Sequence, residues 1–254
     1  MKRTAVLVSA IAFALSSTLA VRAETIGIFQ ATLAEANQKT AEVSTEQLRR
    51  ILADGSAIVL DTRTRAEYDA GHIPGARNLD APAALQVAAV EALAGGNKST
   101  AFVLYCNGPF CQASRRLAEQ LAAAGFTNVR RYQLGIPIWR ALGGPTAIEI
   151  GGVTRILGAD RTAVFIDARG AGDFAKGSLA GAQNAPVESV ASEKLKVPLP
   201  EDDFNRRIIL FGRDAAQARQ LADLLGKRPW HNVSYFAGSF EDLEAAGMVS
   251  HISR

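Results

Sequence analysis

Hydrophobic positions along the chain alternate between short continuous runs and runs with helical spacing. Residues 57–60 and 101–105 are short apolar stretches rich in β-branched and aromatic side chains, which predict buried strands. Residues 44–53 and 113–124 instead carry their apolar side chains on one helical face. Because strands and helices alternate, the pattern predicts α/β domains with mostly parallel sheets, and it places binding residues at the carboxyl ends of the strands.

The same pattern occurs twice in the chain, which predicts two similar domains. Seven residues recur 106 positions later: Ala57, Asp61, Arg63, Gly71, Gly75, Ala76 and Asn78 return as Ala163, Asp167, Arg169, Gly177, Gly181, Ala182 and Asn184. Cys106 aligns with Gly212, and beyond that point the spacing becomes 104, so the second loop is two residues shorter and lacks a cysteine. We expect an N-terminal arm over residues 24–41 and domains over residues 42–145 and 148–250.

The first 23 residues have the composition of a cleavable export signal. Lys2 and Arg3 precede an apolar run, and the segment ends in small residues at Ala23. A signal peptide over residues 1–23 predicts a periplasmic or secreted protein that has no membrane attachment once the signal is removed. Removing the three basic residues of this segment leaves 25 basic and 25 acidic side chains, so the mature chain is neutral. No basic run is interleaved with aromatic residues, so a nucleic-acid partner is not expected.

Both cysteines of the chain lie where a predicted strand meets a predicted helix. Cys106 and Cys111 enclose a loop that we expect at the surface, made of Asn107, Gly108, Pro109 and Phe110. A helix N-terminus beside a cysteine favours its thiolate form, so Cys106 is a candidate nucleophile. A buried structural cysteine and a simple disulfide are the alternatives. The three histidines and two cysteines lack metal-ligand spacing, so no metal and no cofactor is predicted.

A set of short motifs in the first copy resembles a rhodanese domain. The motifs are Asp61-Thr62-Arg63, Glu67-Tyr68, the segment Gly71 to Ala76, the cysteine loop, Gly135, Trp139 and Gly143. The resemblance covers about the whole first domain, and the second copy resembles a degenerate rhodanese domain without the active cysteine. It implies two rhodanese-like domains, each a small mostly parallel sheet flanked by helices. Tandem members more often carry the active loop in the second domain, which argues against simple equivalence with them.

The function implied by this resemblance is sulfur transfer. The Cys106 thiolate would take a sulfane sulfur from a small donor and pass it to a thiol or cyanide-like acceptor, and residues 107–111 would supply N–H groups to the outer sulfur. No basic residue lies between the cysteines, so the choice between thiosulfate and polysulfide as donor stays open.

Five residues outside the loop are expected to support it. An ion pair of Arg63 with Asp61 or Glu67 would hold the loop, His72 would be structural, and Trp139 would pack in the core. The alternative function is a redox or sulfur-carrier module that cycles Cys106 and Cys111 between dithiol and disulfide with a periplasmic protein partner. A related cysteine phosphatase would need an arginine at the position of Gln112, so phosphatase activity is not predicted.

Overall fold

The computed structural model of the protein describes residues 38–193, 197 and 199–250. The expected signal peptide, residues 1–23, and the expected arm as far as residue 37 lie outside the described residues. Among the helices of the described part, none is long and apolar enough to cross a membrane.

The first domain alternates strands with helices, as the hydrophobic pattern predicts. Its strands are β1 (Ala41–Glu42), β2 (Ile58–Asp61), β3 (Arg77–Asn78), β4 (Phe102–Tyr105) and β5 (Val129–Tyr132). Its helices are α1 (Thr45–Asp54), α2 (Arg65–Asp69), α3 (Gln86–Leu93), α4 (Gln112–Ala123) and α5 (Gly135–Ala141), with a 3-10 turn at Ala83–Leu85. Helix α1 begins with a capping box in which Ser44 and Gln47 bind each other's backbone N–H groups.

The second domain repeats this order with small changes. Its strands are β6 (Thr146–Ile148), β7 (Val164–Asp167), β8 (Ser178–Leu179), β9 (Gln183–Asn184), β10 (Ile208–Phe211), β11 (Val233–Phe236) and β12 (Val249–Ser250). Its helices are α6 (Ile150–Ala159), α7 (Ala171–Phe174), α8 (Val187–Ala191), α9 (Ala215–Leu225) and α10 (Phe240–Ala245).

Each domain is built on one five-stranded parallel sheet, and the two sheets have equivalent strand orders. The first runs β1-β5-β4-β2-β3 and the second runs β6-β11-β10-β7-β9, with every neighbouring pair in them parallel. Strands β8 and β12 form a separate antiparallel pair. In each domain buried apolar side chains pack on both faces of the sheet. The prediction of a duplicated α/β fold with mostly parallel sheets is confirmed.

Ala41 is predicted to lie in the N-terminal arm, but in the structure it belongs to the first sheet. Ala41 and Glu42 pair in parallel with Arg130 and Arg131 of strand β5. A two-residue strand has no alternation of its own, so the hydrophobic pattern carries no signal for it.

The two domains meet along a short segment after helix α2. The backbone of His72 exchanges two hydrogen bonds of 2.9 Å with Ala147 of strand β6. The N–H of Glu149 also donates to the carbonyl of Asp69 at 3.0 Å, and the Arg155 guanidinium donates to the carbonyl of Ala66 at 2.9 Å. These contacts join strand β6 and helix α6 of the second domain to helix α2 and the turn that follows it.

Candidate active site

The cysteine loop connects the carboxyl end of β4 to the N-terminus of α4, and its two cysteines form a disulfide. Cys106 directly follows the strand and Cys111 is the N-cap residue of the helix, with their Cα atoms 6.1 Å apart. Cys106 is only 4% exposed, whereas Cys111 is partly exposed. The expectation that Cys106 lies on a surface turn is wrong, because the start of helix α5 packs against it. The simple disulfide that the sequence left open is present.

Helix α5 fixes the path of the loop through its first residues. The N–H of Ile136 donates to the Cys106 carbonyl at 3.2 Å. Gly135 has φ +63°, and a Cβ atom there would overlap the Cys106 carbonyl and the Gly108 backbone. The loop also closes on itself, since the Cys111 N–H donates to the Gly108 carbonyl at 3.0 Å. Only glycine at position 135 allows this close backbone contact.

Several backbone donors of the loop are unused. The N–H groups of Asn107, Gly108 and Phe110 have no acceptor among the described residues, and Pro109 has no N–H to offer. The first turn of α4 has no side-chain cap either. The expectation that Cys111 adds a free donor is wrong, because its N–H is bound to Gly108. Three backbone donors and a helix N-terminus are therefore available in this loop to a negative charge.

A buried ion pair and a tyrosine lie directly beneath the loop. The Arg63 guanidinium donates to both carboxylate oxygens of Asp61 and, at 2.8 Å, to the carbonyl of Gly71. The hydroxyl of Tyr105 donates to Asp61 Oδ2 at 2.6 Å and accepts from the Ile73 N–H at 3.1 Å. Burial, together with the charge of Asp61, raises the pKa of Tyr105 well above its usual value. The hydroxyl therefore stays protonated and keeps Asp61 satisfied.

The partner of Arg63, left open between Asp61 and Glu67, is Asp61. Burial alone would lower the pKa of the Arg63 guanidinium, but its hydrogen bond to Asp61 and the charge of that carboxylate raise it. Glu67 binds the loop instead, accepting from Asn107 Nδ2 at 2.6 Å while it caps helix α2 through Thr64. Burial opposes ionisation of Glu67, yet the bonds from Thr64 and Asn107 hold its pKa below the usual value. Glu67 thus ties the loop to α2 as a carboxylate.

His72 lies apart from the loop, at the junction between the domains. Its ring stacks on Tyr68 with the centroids 3.7 Å apart, and Nδ1 lies 3.1 Å from the Tyr68 carbonyl. Nε2 is 3.8 Å from the carboxylate of Glu149, which would favour the charged ring, but burial dominates and lowers the pKa of His72 to about 4. The ring is therefore neutral at neutral pH. It is placed as a packing residue and not as a base.

Trp139 packs in the core of the first domain, beside the segment that leads to the second. Its ring is 5% exposed, its Nε1 donates to the Pro145 carbonyl at 3.0 Å, and the Arg49 guanidinium lies 4.9 Å from the ring centroid. It borders a cleft of about 300 Å³ between the domains that Arg219 and Asp223 also line. Of the residues proposed to support the loop, Asp61, Arg63 and Glu67 lie together at it, and His72 and Trp139 do not.

Two residues of the site were missed from the sequence alone. From the sequence, Tyr105 is predicted only as a strand residue. The repeat does distinguish it, because the equivalent residue Phe211 has no hydroxyl. Gly135 was noted in a motif without a role. Its close approach to the Cys106 carbonyl gives that role.

The second domain keeps the buried ion pair, but side chains bind the Arg213 and Gln217 N–H groups of its shorter loop and helix. Arg169 binds Asp167 and the Gly177 carbonyl as Arg63 binds its own partners, and Ser178 donates to Asp167 Oδ2 at 2.8 Å in place of a tyrosine. The N-terminus of α9 is capped by the carboxylate of Asp214, which accepts from the Gln217 N–H at 2.8 Å. This carboxylate occupies the place that an incoming anion would need.

Comparison with known proteins gives one matching family. A profile of the Rhodanese-like domain matches residues 44–142 and 153–246. Thiosulfate:glutathione sulfurtransferase of Homo sapiens is 39% identical over 101 residues, covering 35% of this chain and 84% of that protein. An HTH-type transcriptional regulator of Mycobacterium tuberculosis is 36% identical over 100 residues, covering 39% of this chain and 41% of the regulator. The crystal structure of thiosulfate sulfurtransferase from Pseudomonas aeruginosa matches at 20% identity with a TM-score of 0.38, covering 83% of this chain and 43% of that chain, a likeness too low to support an argument.

Proposed function

Because the chain belongs to the family of rhodanese-like domain proteins, we propose that it is an exported sulfurtransferase whose first domain carries sulfane sulfur as a persulfide on Cys106. The observation that supports this most directly is the position of Cys106. It follows a parallel strand, and it faces a loop with free N–H donors and an uncapped helix N-terminus. These groups favour a thiolate over a thiol and a persulfide anion over its neutral form.

The proposed reaction has two displacements and starts from the reduced protein. The Cys106 thiolate attacks the outer sulfur of the donor, a Cys–S–S bond forms, and the donor leaves with the electron pair of the broken bond. A nucleophilic acceptor then attacks the outer sulfur of the persulfide and carries it away, so the Cys106 thiolate is restored. In the intermediate the loop N–H groups hold the negative outer sulfur.

The donor and acceptor are proposed from the charges at the loop. No basic side chain stands between the two cysteines, and the nearest arginine along the chain, Arg115, is paired with Glu119. A dianion such as thiosulfate would meet little positive charge at the loop, so a singly charged donor, such as a hydropolysulfide or an organic persulfide, is the better one. The proposed acceptor is a thiol or a cyanide-like ion, and transfer to either needs neither a metal nor a cofactor. With the export signal expected from the sequence, this chemistry would take place in the periplasm or outside the cell, and neither nucleic acid nor a membrane is expected as a partner.

The disulfide supports a second candidate function. Because Cys106 and Cys111 are bonded to each other, the pair can accept two electrons from a dithiol partner and return to the disulfide. In that case a periplasmic protein, and not a sulfane sulfur, would be the substrate.

Intact mass measurements separate the two functions. The purified protein is reduced and treated with polysulfide, and its intact mass is compared with that of the Cys106→Ser and Cys111→Ser variants after the same treatment. We expect wild type and Cys111→Ser to gain sulfur that cyanide removes, and Cys106→Ser to gain none. If Cys111→Ser takes up no sulfur and wild type only cycles between dithiol and disulfide, the redox module is the correct function.

A further inference from the structure

We propose that the resting disulfide is opened by the cysteine thiol of a protein or peptide, that the thiol attacks Cys111, and that Phe110 provides the apolar contact for it. This inference rests on the proposed function only in one respect, namely that the Cys106 thiolate it releases is the group that accepts sulfur.

Access selects the sulfur of Cys111. A thiolate must approach one sulfur of the disulfide along the S–S axis, on the side away from the leaving sulfur. Cys106 is 4% exposed and lies beneath the start of helix α5, whereas Cys111 is partly exposed at the N-cap of α4. Attack from solvent therefore reaches Cys111 first.

The leaving group selects the same direction. Thiol–disulfide exchange is faster when the departing sulfur is the better thiolate. If Cys111 is attacked, Cys106 departs at the base of a loop in which the N–H groups of Asn107, Gly108 and Phe110 have no acceptor among the described residues, so these donors are available to its negative charge. If Cys106 were attacked, the departing Cys111 would be a partly exposed thiolate at the end of the loop, farther along the chain from the N–H groups of Asn107 and Gly108.

Atoms and electrons balance in two exchanges. The incoming thiolate bonds to Cys111 Sγ, the Cys106–Cys111 bond breaks, and Cys106 leaves with the electron pair. A second thiol of the same class then attacks the partner's sulfur, which frees Cys111 as a thiolate and releases the partner as its disulfide. Two external thiols are oxidised, and the two cysteines of the loop are reduced.

Phe110 makes a protein or peptide thiol the fitting reductant. Its side chain is 91% exposed, directly beside Cys111, and it is the most exposed large hydrophobic residue of the described chain. The preceding Pro109 and the bond from the Cys111 N–H to the Gly108 carbonyl restrict the backbone that carries it. Pro137 is also exposed and packs near Gly108. An apolar residue next to the attacking cysteine would bury the Phe110 ring, which a small hydrophilic thiol cannot do.

The site of attack is tested by trapping the mixed disulfide. The oxidised full chain is mixed with a short peptide that carries a leucine beside its cysteine, quenched early with iodoacetamide, and cleaved after Phe110 to separate the two cysteines. We expect the peptide on Cys111 and the alkyl group on Cys106, in at least ~10-fold excess over the reverse arrangement. Equal labelling, or the peptide mainly on Cys106, overturns the assignment.

The role of Phe110 is tested by comparing two peptides. Phe110→Ala should slow opening by the leucine peptide by ~10-fold and opening by a matched serine peptide by less than ~2-fold. The matched control is Leu85→Ala, which removes an apolar side chain that is 57% exposed and lies outside the cysteine loop. This variant should change neither rate. Equal effects of Phe110→Ala on both peptides, or no effect on either, overturn this part.

Sulfur uptake is measured on the same samples after full reduction. If the peptide attaches to Cys111 but the reduced protein takes up no sulfur, the proposed function fails and the site of attack stands. If the peptide attaches to Cys106 and the reduced protein takes up sulfur normally, the inference fails and the proposed function stands.

Discussion

Replacing Tyr105 by phenylalanine should destabilise the first domain strongly, because one hydroxyl makes two buried hydrogen bonds. Tyr105 is fully buried, donates to the carboxylate of Asp61 at 2.6 Å, and accepts from the Ile73 N–H at 3.1 Å. Phenylalanine fills the same volume, so the effect isolates the hydroxyl from packing.

The expected loss is about 3 kcal/mol of unfolding free energy. A hydrogen bond to a charged group contributes roughly 1.5–3 kcal/mol, and a buried N–H left without an acceptor costs about 1–3 kcal/mol. The lower halves of these ranges apply, since Arg63 still satisfies Asp61 and the hydroxyl no longer has to be desolvated. The control is Tyr132→Phe, which loses one neutral bond of 2.9 Å to the Thr45 hydroxyl, for which we expect about 1 kcal/mol.

Urea unfolding followed by tryptophan fluorescence measures both variants. The chain has two tryptophans, Trp139 in the first domain and Trp230 in the second, so a Trp230→Phe background leaves a single reporter on the first domain. If Tyr105→Phe lowers the unfolding free energy no more than Tyr132→Phe does, the proposed importance of the Asp61 contact is refuted.

The second domain offers a rescue for the same variant. There Phe211 and Ser178 stand where the first domain has Tyr105 and His72, and the Ser178 hydroxyl donates to Asp167. In Tyr105→Phe with His72→Ser, the new serine can donate to Asp61. We expect the combined loss to be smaller than the sum of the single losses by about 1 kcal/mol. Additive losses would show that a serine at position 72 cannot replace the hydrogen bond from Tyr105 to Asp61.

Three further predictions concern the loop and the domain junction. Gly135→Ala should displace the cysteine loop and lower sulfur transfer at least ~10-fold, measured by cyanide-acceptor kinetics; unchanged kinetics would contradict the close contact with the Cys106 carbonyl. The pKa of His72 is lowered to about 4, so the unfolded chain takes up a proton first and stability falls as pH drops from 6.5 to 4. Between pH 6.5 and pH 4, the unfolding free energy measured with urea should fall by about 3 kcal/mol more in wild type than in His72→Asn. Gly212→Cys in a Cys106→Ser background should give no comparable sulfur transfer, because Asp214 already caps the helix there; robust turnover would refute this.

Much of the fold could be predicted from the sequence because the same pattern of residues occurs twice in the chain. Asp61 and Asp167 occupy aligned positions at the ends of equivalent central strands. The parallel direction of the strands follows from the alternation of strands and helices. The position of Cys106 at a strand end also follows, since an apolar run stops there. Two short elements escape this logic: β1 has only two residues, and the pair of β8 and β12 joins segments about 70 residues apart in the chain.

The site itself was only partly predictable. Cysteines five residues apart can be bonded or free, and spacing alone does not decide between these states. Burial of Cys106 depends on helix α5, which contacts the loop through Gly135 and Ile136 from a later part of the chain. The bond between Asn107 and Glu67 spans 40 residues, and either side chain could have faced solvent. Long-range contacts of this kind leave no local pattern.

The domain without a cysteine supports the site through three consecutive residues. The Gly71 carbonyl accepts from Arg63, the His72 backbone pairs with Ala147 of the second domain, and the Ile73 N–H donates to Tyr105. Gly71 has φ +149°, a backbone conformation that favours glycine, and its N–H also donates to the Tyr68 carbonyl at 3.0 Å, so the turn is tied to helix α2. Because Tyr105 immediately precedes Cys106, a shift of strand β6 would be passed through this turn to the base of the loop. The second domain has no cysteine of its own, yet it contacts the turn that supports the base of the cysteine loop.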